Sequence, residues 1–364
     1  MKKTKKVVSL LLTIIMLTGF VTGCGSSESK SNTSDSAVSA TGMKNPTASS
    51  KTYKLGISAY PAFYTWYIPQ AEKFFEKNGV NVELVYFPVY SDSVQAFNSG
   101  KVDMISLAIP DAIAPYISGI EYETVLVLDN SNGADGLVGK KGINSISDLK
   151  GKSVATEYGT IEHFFLLQAL QTAEMTEKDV NFVNLSISDS APAFIAGTVD
   201  AACLWEPSLS KAQTLEGSKL LYSSENTPGL IPDVLLVSGD MARNSPDDIE
   251  AVINSYFDGM DFYVANEKQA IADMAKGAEI TEDEMKVAMS GSRLFTVQEC
   301  IDAMDQESES YSYLPYTTNR IAEFLHSVKM IDSVPDDTKK MFNSTYLKKV
   351  LEKRGSKPVP DTKK

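Results

Sequence analysis

Arginine is scarce in this 364-residue chain, limited to Arg243, Arg293, Arg320 and Arg354. Histidine occurs only as His163 and His326, and cysteine only as Cys24, Cys203 and Cys300. Three cysteines without a CxxC pair or a Cys/His cluster exclude a disulfide scaffold and argue against a structural zinc site. Cys203 and Cys300 are expected as buried free thiols. There is no GxSxG elbow, no HExxH and no Walker loop, so the chain reads as a non-enzyme without a cofactor. A paired-carboxylate hydrolase is the one catalytic class that spacing alone leaves open. Basic residues are outnumbered, 34 Lys plus Arg against 47 Asp plus Glu, for a net charge of −13. So acidic a chain lacks the basic face that nucleic-acid phosphates require.

The one basic concentration lies at the start. Lys2, Lys3, Lys5 and Lys6 precede an uncharged, mostly apolar run from Val7 to Gly23. This is the pattern of an export signal over residues 1–23. Without it, 30 basic side chains face 47 acidic ones, a net charge of −17. The run ends in Val21-Thr22-Gly23-Cys24, which resembles the bacterial lipobox. That resemblance implies a lipoprotein acylated (palmitate or a similar chain) at Cys24 and held on the extracytoplasmic face of the cell membrane. Residues 24–50 are rich in Ser, Thr, Asn, Gly and Ala and cannot bury enough surface to offset their ordering entropy, so they read as a flexible tether.

From Tyr53 onward, strand and helix patterns alternate. Strands are expected at Tyr53–Ser58, Val80–Phe87, Val102–Ala108 and Thr124–Leu128. Between them lie a helix at Pro69–Gly79 and one at Val94–Ser99, capped by Ser91-Asp92-Ser93. A further helix opens at Asp111. The same grammar restarts after Ser145, with a strand at Ser153–Ala155, a helix at Ile161–Ala173 and strands at Asp179–Leu185 and Val199–Leu204. Phe97-Asn98-Ser99-Gly100-Lys101-Val102-Asp103 is echoed by Phe194-Ile195-Ala196-Gly197-Thr198-Val199-Asp200. Two α/β lobes of similar plan are implied, each a mostly parallel sheet covered by helices. Beyond Asp233–Val237 the pattern is mainly helical.

Several of these segments are familiar. Lys54–Ser58, Trp66-Tyr67-Ile68 and Lys73–Leu84 resemble the nitrate/sulfonate/taurine family of ABC-transporter substrate-binding proteins. So do Gly100–Asp103, Asp148–Lys152, Phe194–Gly197, Trp205-Glu206-Pro207 and Thr227–Asp233. The resemblance implies a type II periplasmic-binding-protein clamshell with crossovers near Ala134–Gly139 and Asp233–Val237. Lobe 1 would then comprise residues 51–136 and 238–364, including C-terminal helices, and lobe 2 residues 137–237. It implies a monomer that carries a small ligand to an ABC permease and its ATPase. Taurine, aliphatic sulfonates, nitrate or an aminopyrimidine thiamine precursor are the ligand classes, and a pyrimidine-synthase-like enzyme is a remote alternative.

Strand ends of two such lobes face a shared cleft. Candidate ligand contacts are Ser58, Tyr60, Phe63 and Tyr64 after the first strand, and Asn132 and Asp135 at the first crossover. Gly159, Thr160 and Ile161 form a helix N-terminus suited to an anion. Trp205 and Glu206 offer a ring face and a carboxylate. Ser91, Asp111 and Asp233 complete the set. None of these loops carries arginine, so a ligand bearing an amine is expected.

Overall fold

The computed structural model describes residues 51–363; the signal, tether and Cys24 lie outside them. Eleven strands form two sheets. β1 (Thr52–Ser58), β2 (Asn81–Phe87), β3 (Met104–Ala108), β4 (Tyr122–Ser131), β5 (Asp135–Gly139) and β6 (Ser153–Thr156) come first. β7 (Asn181–Asn184), β8 (Ala201–Trp205), β9 (Lys219–Ser223), β10 (Pro232–Ser238) and β11 (Ser292–Leu294) follow. The first sheet has the order β11-β4-β10-β3-β1-β2, and the second β7-β6-β8-β5-β9.

The two sheets share one plan. A parallel trio, β2-β1-β3 or β7-β6-β8, comes from strand–helix–strand units. A fourth strand then runs antiparallel to the trio, and a fifth runs antiparallel to the fourth. In each sheet that fourth strand arrives by crossover from the other. The chain leaves β4 and enters the second sheet as β5, then leaves β9 and returns to the first sheet as β10. The expected crossover segments Ala134–Gly139 and Asp233–Val237 are therefore largely sheet strands. The connections themselves are residues 132–134 and 224–231. Sheet membership also moves residues 232–237 from the second lobe, where the sequence reading put them, to the first. The difference has a physical source: pairing with the distant strands β3 and β4 leaves no local mark on the sequence of β10.

Val125–Leu128 of β4 and Val234–Val237 of β10 are continuous apolar runs, buried because helices cover both faces of the sheet. The helix Ile161–Gln171 has no polar face, so nearly every side chain on it is buried, Glu162 and His163 among them. The helix expected over Pro69–Gly79 is instead two short ones, Tyr67–Ala71 and Phe74–Lys77, separated at Lys73 with its left-handed φ of 57°. Tyr90–Asn98 starts a turn earlier than expected, which puts Ser91 and Asp92 inside the helix rather than at its cap. The C-terminal helices pack on the first sheet's elements. Trp66 stacks on Tyr256 of Pro246–Ala265, with centroids 4.9 Å apart, and Asn78 Nδ2 donates to Asp258 at 2.9 Å. Cys203 and Cys300 are buried free thiols.

Candidate ligand-binding cleft

The two lobes are closed on each other. Trp205, the last residue of β8, donates its indole N–H to Ala59 O at 2.6 Å, from the second lobe to the first. Its ring meets Tyr90 edge-on, with centroids 5.2 Å apart. Behind the indole is a cavity of about 10 Å³, lined by Tyr60, Phe63, Tyr90, Ala108, Asp135, Ile161, Trp205, Ile231 and Asp233. That holds about one water, so an organic ligand requires the lobes to part or Trp205 to swing. None of these lining residues is Lys, Arg or His.

Carboxyls converge behind this aromatic wall. Asp233 on β10 stands directly opposite Asp129 on β4, so two buried carboxyls face each other across the strand pair. Asp135, at the start of β5, and Glu162 of the helix Ile161–Gln171 are both buried, and the charge of Asp135 acts on Glu162. Ser131 donates to Asp135, and its hydroxyl lies 2.7 Å from that of Ser224. The Ser224 hydroxyl also accepts from the Gly133 amide at 2.7 Å, where φ is +113° and glycine is needed. Tyr60 OH reaches Asp129 at 3.4 Å, and Cys203 Sγ reaches Glu162 at 3.1 Å.

Burial dominates the electrostatics. It raises Asp129 to about 7 and Asp135 to about 6, and lifts Asp233 and Glu162 well above the usual carboxylate range. The neighbouring acids add to the shifts of Asp233 and Glu162. Asp129 Oδ1, Asp233 Oδ2 and Glu162 Oε1 are buried with no protein partner.

The candidates from the sequence divide into groups. Tyr60, Phe63, Asp135, Ile161, Trp205 and Asp233 meet at the cavity. Ser58 is buried nearby on β1, its hydroxyl unpartnered. Asp111, Ser91 and Thr160 form a seam beside it. Asp111 accepts from Tyr90 OH at 2.7 Å and from the Ile161 amide at 3.1 Å. The helix N-terminus read as an anion site therefore already receives a carboxylate, from the opposite lobe. That Asp111 carboxyl is itself raised by burial to about 7. Ser91 N–H donates across the seam to Glu157 at 3.0 Å, and Thr160 OH donates to Glu157 O. The Gly159 amide donates to His163 Nδ1 at 3.3 Å.

Three candidates point elsewhere. Glu206 turns back to cap its own helix, accepting from Ser210 N and Oγ at 3.1 and 2.6 Å. Asn132 lines a separate groove with Arg293 and Tyr311. Tyr64 is buried against Tyr67, away from the cavity. Asp129, Glu162, Tyr90, Ser131 and Ser224 were not among the candidates. Asp129 carried a legible signal, an acid directly after the apolar run Val125–Leu128.

Comparison with known proteins agrees with this architecture. The chain is 25% identical over 288 residues to a Bacillus subtilis (strain 168) protein named for binding aliphatic sulfonates, covering 78% of this chain and 83% of that one. It is 25% identical over 292 residues to the taurine-binding periplasmic protein of Escherichia coli (strain K12), covering 77% and 88%. The alkanesulfonate-binding protein of Xanthomonas axonopodis pv. citri superposes with a TM-score of 0.67 at 16% identity, over 81% of this chain and 98% of that one. The sequence signature described as NMT1/THI5 like spans residues 60–270, more than half of the chain. The chain belongs to the NMT1/THI5-like family, with the two-lobed fold of periplasmic substrate-binding proteins.

Proposed function

We propose that this chain is the lipid-anchored substrate-binding component of an ABC importer, tethered through Cys24, that closes its lobes on a small ligand rich in N–H donors. One observation carries the reading. Carboxyls from both lobes and four aromatic rings surround the cavity, with no basic side chain among its lining residues. Carboxylates accept hydrogen bonds, and aromatic faces attract cations and flat rings. An aminopyrimidine meets both demands. A bare sulfonate or nitrate would need a cation or an Arg fork that this cleft does not offer.

A second reading rests on Asp111. Its carboxylate at the Ile161 amide marks a place where an anionic group is tolerated, so an aminosulfonate such as taurine would put its amine on the carboxyls and its sulfonate there. The protein acts as a carrier, not a catalyst, and docks as a monomer on its permease and ATPase. A thermal-shift screen of amines, pyrimidines and sulfonates on residues 51–364 tests the reading. Stabilisation by nitrogen bases supports it, and stabilisation by nitrate or bare sulfonates alone overturns it. Labelling with a radioactive fatty acid that survives Cys24→Ser would remove the anchor from the account.

A further inference from the structure

The four innermost carboxyls present a problem that the binding reading does not solve. Asp129 and Asp233 face each other across an antiparallel pair, where two like charges are destabilising. An ionised carboxylate only accepts hydrogen bonds, so two buried carboxyls that face each other without a cation are relieved by a proton between them. Asp135 and Glu162, one on β5 and one on the helix Ile161–Gln171, are a second set of buried carboxyls, with Glu162 Oε1 lacking a partner. Asp233 is 2% exposed, lines the cavity and keeps Oδ2 without a partner. That unmatched acceptor beside the aromatic wall is a seat for a donor.

We propose that Asp129 with Asp233, and Asp135 with Glu162, each hold one shared proton in the closed cleft and surrender it when a ligand's cationic N–H group takes its place. These four side chains then determine specificity, because only a cation replaces a proton without loss. Each exchange is balanced: one ammonium or amidinium enters, one proton leaves to solvent, and no bond to carbon changes. The inference rests on the proposed N–H-bearing ligand for its second half only.

The surroundings leave the protons no other counter-charge. Tyr60, Tyr90, Tyr256 and Asp135 act on the Asp129–Asp233 pair. Ser292 on β11 is buried, its hydroxyl without a partner, and the Ser131 hydroxyl on β4 donates to Asp135. Glu206, Cys203, Asp111 and Ser131 act on the Asp135–Glu162 pair. All are acidic, phenolic, thiol or neutral. His163 shares a helix with Glu162, but its Nε2 lies 2.7 Å from Glu177 and is engaged there. Burial holds all four carboxyls above the ordinary range, Asp135 at about 6 and Asp129 at about 7.

Two measurements test this on the exported chain. In the first, Trp205 fluorescence is followed from about pH 5 to about pH 9 without added ligand. Trp66 is buried in the first lobe and supplies a constant background, and Trp205→Phe assigns the signal. A red shift centred near neutral pH is expected as the ionised pairs repel and the indole is released. The combined variant Asp129→Asn and Glu162→Gln, which replaces the shared protons by amide hydrogens, should show no transition and stay closed. A flat wild-type profile, or the same transition in the variant, overturns the proposal. If the variant does not fold, the wild-type profile alone decides. In the second, acetamidine, which is an amidinium cation throughout this pH range, is titrated calorimetrically in two buffers of different ionisation enthalpy. Buffer-dependent heat, reporting proton release, is expected. Binding with buffer-independent heat overturns the exchange. A chain that keeps the pH transition but binds no amine removes the proposed ligand class and still supports the shared protons.

Discussion

The acids of this protein behave in opposite ways at the surface and in the cleft. Asp200, at the rim of the second lobe, is bonded by Lys140 and by Ser153 N and Oγ, both at 2.9 Å, and is lowered to about 2. Asp148, Asp179 and Glu284 cap short helices and are lowered by backbone amides. In the cleft, Asp129, Asp135, Asp233 and Glu162 are raised by burial, and no cation offsets them. The same functional group is a structural fastener where donors surround it and a waiting acceptor where they do not. The topology places the waiting acceptors symmetrically. Asp135 begins β5 and Asp233 is the second residue of β10, and those are the two strands that cross from one lobe to the other. Each lobe therefore brings a carboxyl into the cleft on equivalent strands, at the points where the chain changes sheet.

The contrast suggests experiments of decreasing effect. Trp205→Ala asks how much of the closed cleft is held by the aromatic wall rather than by the acids. Loss of a buried indole and its inter-lobe hydrogen bond should cost about 3–5 kcal/mol in denaturant unfolding. An unchanged midpoint would show that the indole is not part of the closed core. Asp233→Asn removes one of the facing charges. Because the folded carboxyl is raised, its stabilising contribution is full below the unfolded value of about 4 and is lost as pH rises through the raised folded value. The variant should therefore gain stability over wild type as pH rises, with a larger difference at about pH 8 than at about pH 5. An equal effect at both pH values would contradict the account.

Asp111→Ala should remove the seam bond to Ile161 and cost about 1 kcal/mol, with a larger proportion of open lobes by small-angle scattering. Scattering identical to wild type would assign the seam no role in closure. The smallest effect belongs to the surface. Lys140→Ala should cost less than about 1 kcal/mol at neutral pH, because the pair is partly exposed and Ser153 still holds Asp200. The contribution of Asp200 has the opposite sign of pH dependence, present above about pH 4 and lost as pH falls toward its folded value of about 2. A larger loss than in Asp111→Ala would reverse the proposed ranking of surface and cleft.

Much of this was legible from residue pattern. The parallel trios follow from alternation and Gly stops, and the repeat around Phe97–Asp103 and Phe194–Asp200 anticipated the shared plan. The antiparallel fourth strands were not legible, because pairing with a distant strand leaves no local mark on a segment such as Asp135–Gly139. Tyr60 and Trp205 are legible because they follow or end strands, and Asp135 and Asp233 because they stand where the chain crosses between lobes. Glu162 was not legible, since its burial depends on a helix covered on all sides. Glu206 looked like a ligand group until its reach back to Ser210 could be seen.

The central claim is that the cleft selects N–H cations. Calorimetric titration with a matched set tests it most directly: 4-amino-2-methylpyrimidine and taurine carry the amine, whereas isethionate keeps taurine's sulfonate and exchanges its amine for a hydroxyl. The account predicts binding of at least one amine-bearing compound and none of isethionate or nitrate. Tight binding of isethionate or nitrate with no response to either amine would contradict it.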